Sequence, residues 1–233
     1  MNSIGTLGER SLHAALKRYY AQPGDQFEVA IDGAIIDIVR GDLLIEIQTR
    51  SLSAIKRKLE RLSSDHVVRL IYPIASEKWI VRTGKTGQTQ ISRRKSPKHG
   101  RIDDVFMELV NIAGLLKHPN LTLEVAMIRE EEVWSQAKTH HRMGRRRDGW
   151  ARQDRRLIDV VEQRVFATPH DYVSLLPANL PEQFTNHELA HAMKRPRYLA
   201  ERMTYSLRKL DVLETCGKRG RLLLFRLRVS FPQ

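Results

Sequence analysis

The alternation of apolar and polar residues is sharpest between residues 26 and 48, in three runs at 26–31, 34–39 and 43–48. Each run predicts a strand, because successive side chains of a strand point to opposite faces. Asp32-Gly33 and Arg40-Gly41 separate the runs. An X-Gly pair between apolar runs predicts a two-residue hairpin turn, since glycine tolerates the positive φ that such turns demand. Elsewhere the period changes. Residues 6–20 carry Leu12, Leu16 and Tyr19 on one stripe, and residues 51–63 carry Leu52, Ile55, Leu59 and Leu62. That spacing predicts two helices, the second capped by Ser51 or Ser53. Strands are predicted at 66–74 and 78–83, a polar loop at 84–100, a helix at 102–116 and a strand at 121–129. The order α-βββ-α-ββ-α-β makes an α/β unit of about 130 residues, an ordinary domain size.

Past this unit the pattern breaks. The stretch 138–156, KTHHRMGRRRDGWARQDRR, is strongly basic and reads as an exposed segment running into a helix at 151–165. A short helix near 170–176 follows, then a capping box of Thr185 and Glu188. After Pro196 a longer helix carries Leu199, Met203, Leu207 and Leu210 on one stripe, and two short strands flank the basic turn Gly217–Gly220. Helix, helix, longer helix and hairpin is the order of a winged helix-turn-helix. The chain is thus expected to divide into an α/β domain (1–135), a basic linker and helix (136–165) and a winged-helix domain (166–233).

The 34–48 hairpin carries an anomaly. With the turn at Arg40-Gly41, Val39 opposes Asp42, Asp37 opposes Leu44 and Ile35 opposes Glu46. One face then holds Ile36, Ile38, Leu43, Ile45 and Ile47, and is the core face. The other holds Ile35, Asp37, Val39, Leu44, Glu46 and Gln48, with Asp37 and Glu46 as diagonal neighbours. That face is either solvated or half-covered, and the first helix, with Glu9 beside its stripe, is the obvious cover. Two carboxylates in a half-covered cleft repel one another, and a divalent cation relieves the repulsion. Mg²⁺ is commonly held by one or two carboxylates plus phosphate and water oxygens.

Composition points the same way. The chain has 40 Lys and Arg against 27 Asp and Glu, a formal charge of +13, which favours a polyanionic partner, nucleic acid first and an anionic membrane surface second. A single cysteine, Cys216, excludes an internal disulfide framework and suits a reducing cytoplasm. The first residues show no apolar signal-peptide core, and no run approaches the length of a transmembrane helix.

Asp37, eight residues, then Glu46-Ile47-Gln48, with Glu9 on the preceding helix, resembles the PD-(D/E)xK nuclease superfamily, and within it the archaeal-type Holliday-junction resolvases. The resemblance covers residues 1 to 83 best. It implies a restriction-endonuclease-like mixed β-sheet flanked by helices, and a metal-dependent endonuclease acting on DNA, branched DNA included. Asp37 and Glu46 would be the ligands of Mg²⁺ or Mn²⁺, with the carbonyl of Ile47 as a third. Glu9 would hold a metal-bound water or a second ion. Gln48 stands where the family usually has lysine; an amide can orient water but brings no charge. Arg50, Lys56 or Lys58 could supply that charge. Resolvase-like nucleases often dimerise, so the resemblance allows a homodimer; the chain itself is expected to have no membrane partner and a cytoplasmic location, nucleoid-associated in a prokaryote. Gln48 equally suits a nuclease fold kept as a DNA-binding scaffold without catalysis.

The nucleic-acid contacts are expected from Arg145, Arg146 and Arg147, a run followed by Trp150, from Arg197 and Arg202 on the third helix of the C-terminal segment, and from Lys218 and Arg219 at its hairpin. His187-Glu188-Leu189-Ala190-His191 matches the H-E-x-x-H spacing of zinc proteases. The capping box at Thr185, which draws His187 into the first helical turn, weighs against that reading.

Overall fold

The computed structural model describes residues 11–84, 89–136, 146–147 and 149–228. The chain is α/β, a mixed sheet flanked by helices, and it divides into two compact units, each assembled from separate stretches. One unit takes Gln26–Tyr72, Ile102–Val125 and Arg164–Gln233; the other takes Met1–Asp25, Pro73–Arg101 and Ala126–Gln163.

The first of these begins with β1 (Gln26–Ile31), β2 (Ala34–Arg40) and β3 (Leu43–Ile47), paired antiparallel in succession. The turn between β1 and β2 is Asp32-Gly33, both at positive φ (+47° and +70°), as the paired strand twist requires. β3 leads through a 3₁₀ turn (Leu52–Ile55) into the chain's second α-helix, α2 (Lys56–Asp65), and then into β4 (Val67–Thr83). β4 runs parallel to β3, with Leu43 beside Val67 and Ile47 beside Ile71. A parallel pair needs a crossover, and α2 is that crossover. Leu52, Leu59 and Leu62 are buried as their spacing predicts, and the cap is Ser51, whose hydroxyl accepts the Ser53 N–H.

The same unit contains the chain's last elements: a 3₁₀ segment (Pro169–Leu175), α4 (Asn186–Met193), α5 (Arg197–Lys209) and the hairpin β9 (Leu213–Arg219) and β10 (Leu222–Leu227). The predicted stripe Leu199, Met203, Leu207 and Leu210 is fully buried. The 102–116 region is no single helix. It is a 3₁₀ turn (Ile102–Val105), the four-residue α3 (Phe106–Leu109) and a second 3₁₀ turn (Leu115–Lys117). Asn111 and Gly114, weak helix formers, lie where the helix stops.

The other unit opens with α1 (Ser11–Tyr20), which buries Leu12 and Leu16 but leaves Tyr19 exposed. Four expectations are corrected here. Residues 66–74 and 78–83 form one strand, β4, continuous through Pro73, where one unit gives way to the other. The loop at 84–100 contains β5 (Gln90–Lys95), paired with β4, and the strand predicted at 121–129 extends as β6 (Leu121–Gln136). The predicted helix at 151–165 is a strand, β8 (Trp150–Phe166), preceded by the two-residue β7 (Arg146–Arg147). Its β-branched residues Ile158, Val160, Val161 and Val165 favour a pleated partner over a helix, and sheet pairing decides the matter. No helix among the described residues is long and apolar enough to cross a membrane.

Within this unit Gly100 donates its N–H to the Ala75 carbonyl at 2.9 Å, and a Cβ at Gly100 would overlap that same oxygen. Gly100→Ala is therefore expected to cost about 1–3 kcal/mol, the usual penalty of forcing atoms into a packed site, read as a lowered urea midpoint. A midpoint equal to wild type would show that this approach of the two chain segments is not required.

Candidate functional site

The hairpin that carries the two acids is built on a different register from the one its sequence predicts. Ile38 pairs with Ile45, Val39 with Leu44 and Arg40 with Leu43, so the turn is Gly41-Asp42. Gly41, at φ +54°, fills the first central position, where a two-residue turn needs glycine most. The strands have slid by two residues. A slide of two leaves every side chain on its own face, whereas a slide of one would have put the two acids on opposite faces of the sheet. Extended by one pair, this register sets Asp37 abreast of Glu46 instead of diagonal to it. There Oδ2 of Asp37 accepts the backbone N–H of Ile47 at 2.8 Å.

Ile36, Ile38, Ile45 and Ile47 are buried, as the core face should be, and Leu43 is half-buried beside the turn. The second face is graded. Leu44 and Glu46 on β3 are buried, Asp37, Val39 and Gln48 are half-buried, and Ile35 on β2 is 65% exposed. The gradient follows the sheet order, from β3 inside the sheet to β2 nearer its edge.

Glu46 is only 5% exposed. The Lys58 ammonium, from the first turn of α2, forms an ion pair with its Oε1 and also donates to the carbonyl of Ile35. Oε1 is buried, and the Lys58 ammonium is the donor that faces it. Burial raises the Glu46 pKa most, the nearby charge of Asp37 raises it further, and Lys58 draws it back; the balance is about 7, against an ordinary 4.5. A carboxyl near half-ionisation at neutral pH, beside a second carboxyl and a lysine, is the arrangement found where proton transfer or cation binding takes place.

Gln48 has another occupation. Its backbone N–H bonds the Ile71 carbonyl at 2.9 Å, and its side chain folds onto the turn that follows, donating to Ser51 O and accepting from the Arg50 N–H, both at 3.3 Å. Lys56 pairs with Glu60 on an exposed helix face, and Arg50 is exposed. Of these three candidates, Lys58 is the one that reaches Glu46. Glu108, on α3, was not foreseen. Its Oε2 accepts from the Ser51 hydroxyl at 2.8 Å and the Leu52 N–H at 2.9 Å, and so ties down the start of the helical segment that carries Lys58. No local pattern announces it, since Glu108 is 57 residues from Ser51.

Glu9 and Arg145 lie outside the described residues, and Arg146 and Arg147 pair as backbone with Ala151 and Trp150. Arg197 pairs with Glu201 at 2.9 Å on the exposed side of α5. Arg202 is half-buried and donates to the Met107 carbonyl at 2.9 Å, which anchors α5 rather than presenting a free guanidinium. Lys218 is exposed, and Arg219 donates to Oε1 of Glu188 at 2.6 Å. Glu188 is otherwise the reciprocal partner of Thr185 in the predicted capping box, and these bonds hold its carboxyl below the usual range. Among the described residues no three His, Cys, Asp or Glu side chains cluster as a metal site.

The raised pKa has a sign. The folded state holds the Glu46 proton more tightly than the unfolded chain, so this group's contribution to stability is complete below pH 4.5 and is lost as pH climbs through 7. Full ionisation is worth about 3 kcal/mol. Glu46→Gln is expected to flatten the fall in stability between pH 4.5 and 7, followed by urea unfolding at a series of pH values. A fall as steep as in wild type would assign it to another group.

Comparison with known proteins adds kinship without an activity. Residues 10–167 match the family model described as "Domain of unknown function (DUF8091)". A protein of Treponema pallidum (strain Nichols), described as an uncharacterized protein, is 31% identical over 232 residues, spanning 96% of this chain and 87% of the relative. No solved structure matches the chain. The family match takes in every element that builds the Asp37–Glu46–Lys58 cluster, and the chain belongs to the DUF8091 family.

Proposed function

We propose that the protein is a metal-dependent phosphodiesterase of PD-(D/E)xK type acting on DNA. The observation that carries this reading is the joint placement of Asp37 and Glu46 on neighbouring strands with the Lys58 ammonium on Glu46. The donor set suits a hard cation: two carboxylates on neighbouring strands, with the carbonyl of Ile47 as a further oxygen ligand. Mg²⁺ or Mn²⁺ held there would supply Lewis-acid chemistry, activating water and neutralising charge on the scissile phosphate.

The chain's own residues have definable parts. Asp37 is oriented by the Ile47 N–H. Glu46, poised near neutrality, can take or return a proton at Oε1. Lys58 supplies the positive charge that Gln48 lacks, from the next helix instead of the same strand. It can face a phosphate oxygen once Glu46 turns to a cation. A formal charge of +13 favours a polyanionic substrate. The C-terminal order of a 3₁₀ segment, α4, α5 and the β9–β10 hairpin supports a winged helix-turn-helix that holds the duplex, with exposed Lys218 on its hairpin. Such an activity belongs in the cytoplasm, at the nucleoid in a prokaryote.

One observation favours the scaffold reading. The Gln48 side chain is spent on the 48–51 turn, where a working site of this type has its lysine. Cleavage decides between the two. Labelled single-stranded, duplex, flapped and four-way DNA is incubated with Mg²⁺ or Mn²⁺. Cutting that needs the cation and falls at least about 100-fold in Asp37→Ala and in Lys58→Met is expected, a loss of ~3 kcal/mol of transition-state stabilisation per group. Binding without cutting of any substrate would select the scaffold. Cutting that persists in EDTA would reject the mechanism.

A further inference from the structure

β8 is 17 residues long, contains no proline, and pairs on one side with β6. On its other side lies only β7, opposite Trp150 and Ala151. Among the described residues no strand pairs with that outer side from Arg152 to Gln163. Long open edges invite another strand, and proteins usually blunt them with proline, brevity or charged side chains. This edge is neither short nor broken by proline, and its charged residues are of both signs. Ile158 and Val161, among them, are 45% and 42% exposed.

Their order is self-complementary. When a second copy of the strand is laid antiparallel on the first with Asp159 at the two-fold axis, Arg156 of each copy faces Glu162 of the other. Leu157 faces Val161, and Ile158 faces Val160. The neighbouring registers lose this match. A centre at Ile158 sets Asp154 against Glu162, a centre at Val160 sets Ile158 against Glu162, and the two half-step registers place Ile158 or Leu157 opposite an acid. Opposed charges and apolar pairs across strands are stabilising, and like charges directly opposite are not. The one like-charge position is the axis itself, where each Asp159 is already matched by its own Arg129 at 3.0 Å. Arg156 is exposed and lies 3.7 Å from Asp154 of its own chain.

We propose that two copies of this chain join through the outer edge of β8, antiparallel and centred on Asp159, as a closed two-fold dimer. A closed dimer of this kind uses the same strand twice, so each residue pair occurs twice. The proposal stands on the edge alone and is independent of any activity at Asp37 and Glu46.

Sedimentation velocity of the full-length protein over a range of concentrations tests it. Wild type is expected to dimerise. R156E puts Glu against Glu162 twice, E162R puts Arg against Arg156 twice, and each is expected to raise the dimer dissociation constant about tenfold or more. An equimolar mixture of the two variants restores both oppositions in the heterodimer, and dimerisation is expected to return. Arg156→Gln, which removes the charge without reversing it, is expected to loosen the dimer less and covers the case in which a reversal disturbs folding. A wild type that stays monomeric, as when another segment of the same chain lies along the edge, would overturn the proposal. So would charge reversals without effect, or a mixture no tighter than either variant alone.

Discussion

Burying the carboxyl of Glu46 is the constraint around which the hairpin and its neighbours are arranged. A carboxylate at 5% exposure is costly unless something answers its charge. Here the answer is partial. Lys58 approaches Oε1, Asp37 opposes ionisation, and the group settles near pH 7 instead of 4.5. The local architecture serves this arrangement. The parallel pairing of β3 with β4 requires a crossover, the crossover helix brings Lys58 back over the end of β3, and Glu108 fixes where that helical segment starts. A purely structural site of this kind would be better filled by an apolar residue, because a partly satisfied buried pair is seldom a net source of stability.

The features that the sequence made legible are those with a strong local signal. The period-two runs at 26–48, the Asp32-Gly33 turn, the Leu52–Leu59–Leu62 stripe and the Thr185–Glu188 capping box all depend on neighbours within a few residues, and all appear as read. The failures occur where a distant partner overrides local preference. Residues 151–165 have helix-compatible charge spacing, yet a strand forms because β6 is available to pair with it. β4 passes through Pro73, which alone argues for a break.

The candidate site was legible in part, for the same reason. Face assignment for Asp37 and Glu46 survived a two-residue register error because side-chain parity repeats every two residues. The source of positive charge could not be ranked from sequence, since Arg50, Lys56 and Lys58 are all close to Gln48 along the chain. Helical phase separates them: Lys56 faces Glu60 and solvent, while Lys58, half a turn away, faces the strand. Glu108 left no trace in the sequence at all, its role existing only once residues 51 and 108 meet.

The central claim is that Asp37 and Glu46 form one cation site whose occupation expels the Glu46 proton. Calorimetric titration with Mn²⁺ at pH 7, in buffers of different ionisation enthalpy, measures both events together. A single site is predicted, with release of about half a proton per ion, in keeping with a group near half-protonation at that pH. Binding should vanish in Asp37→Ala, and proton release should vanish in Glu46→Gln. No binding, or binding that survives Asp37→Ala with its proton release intact, would contradict the account.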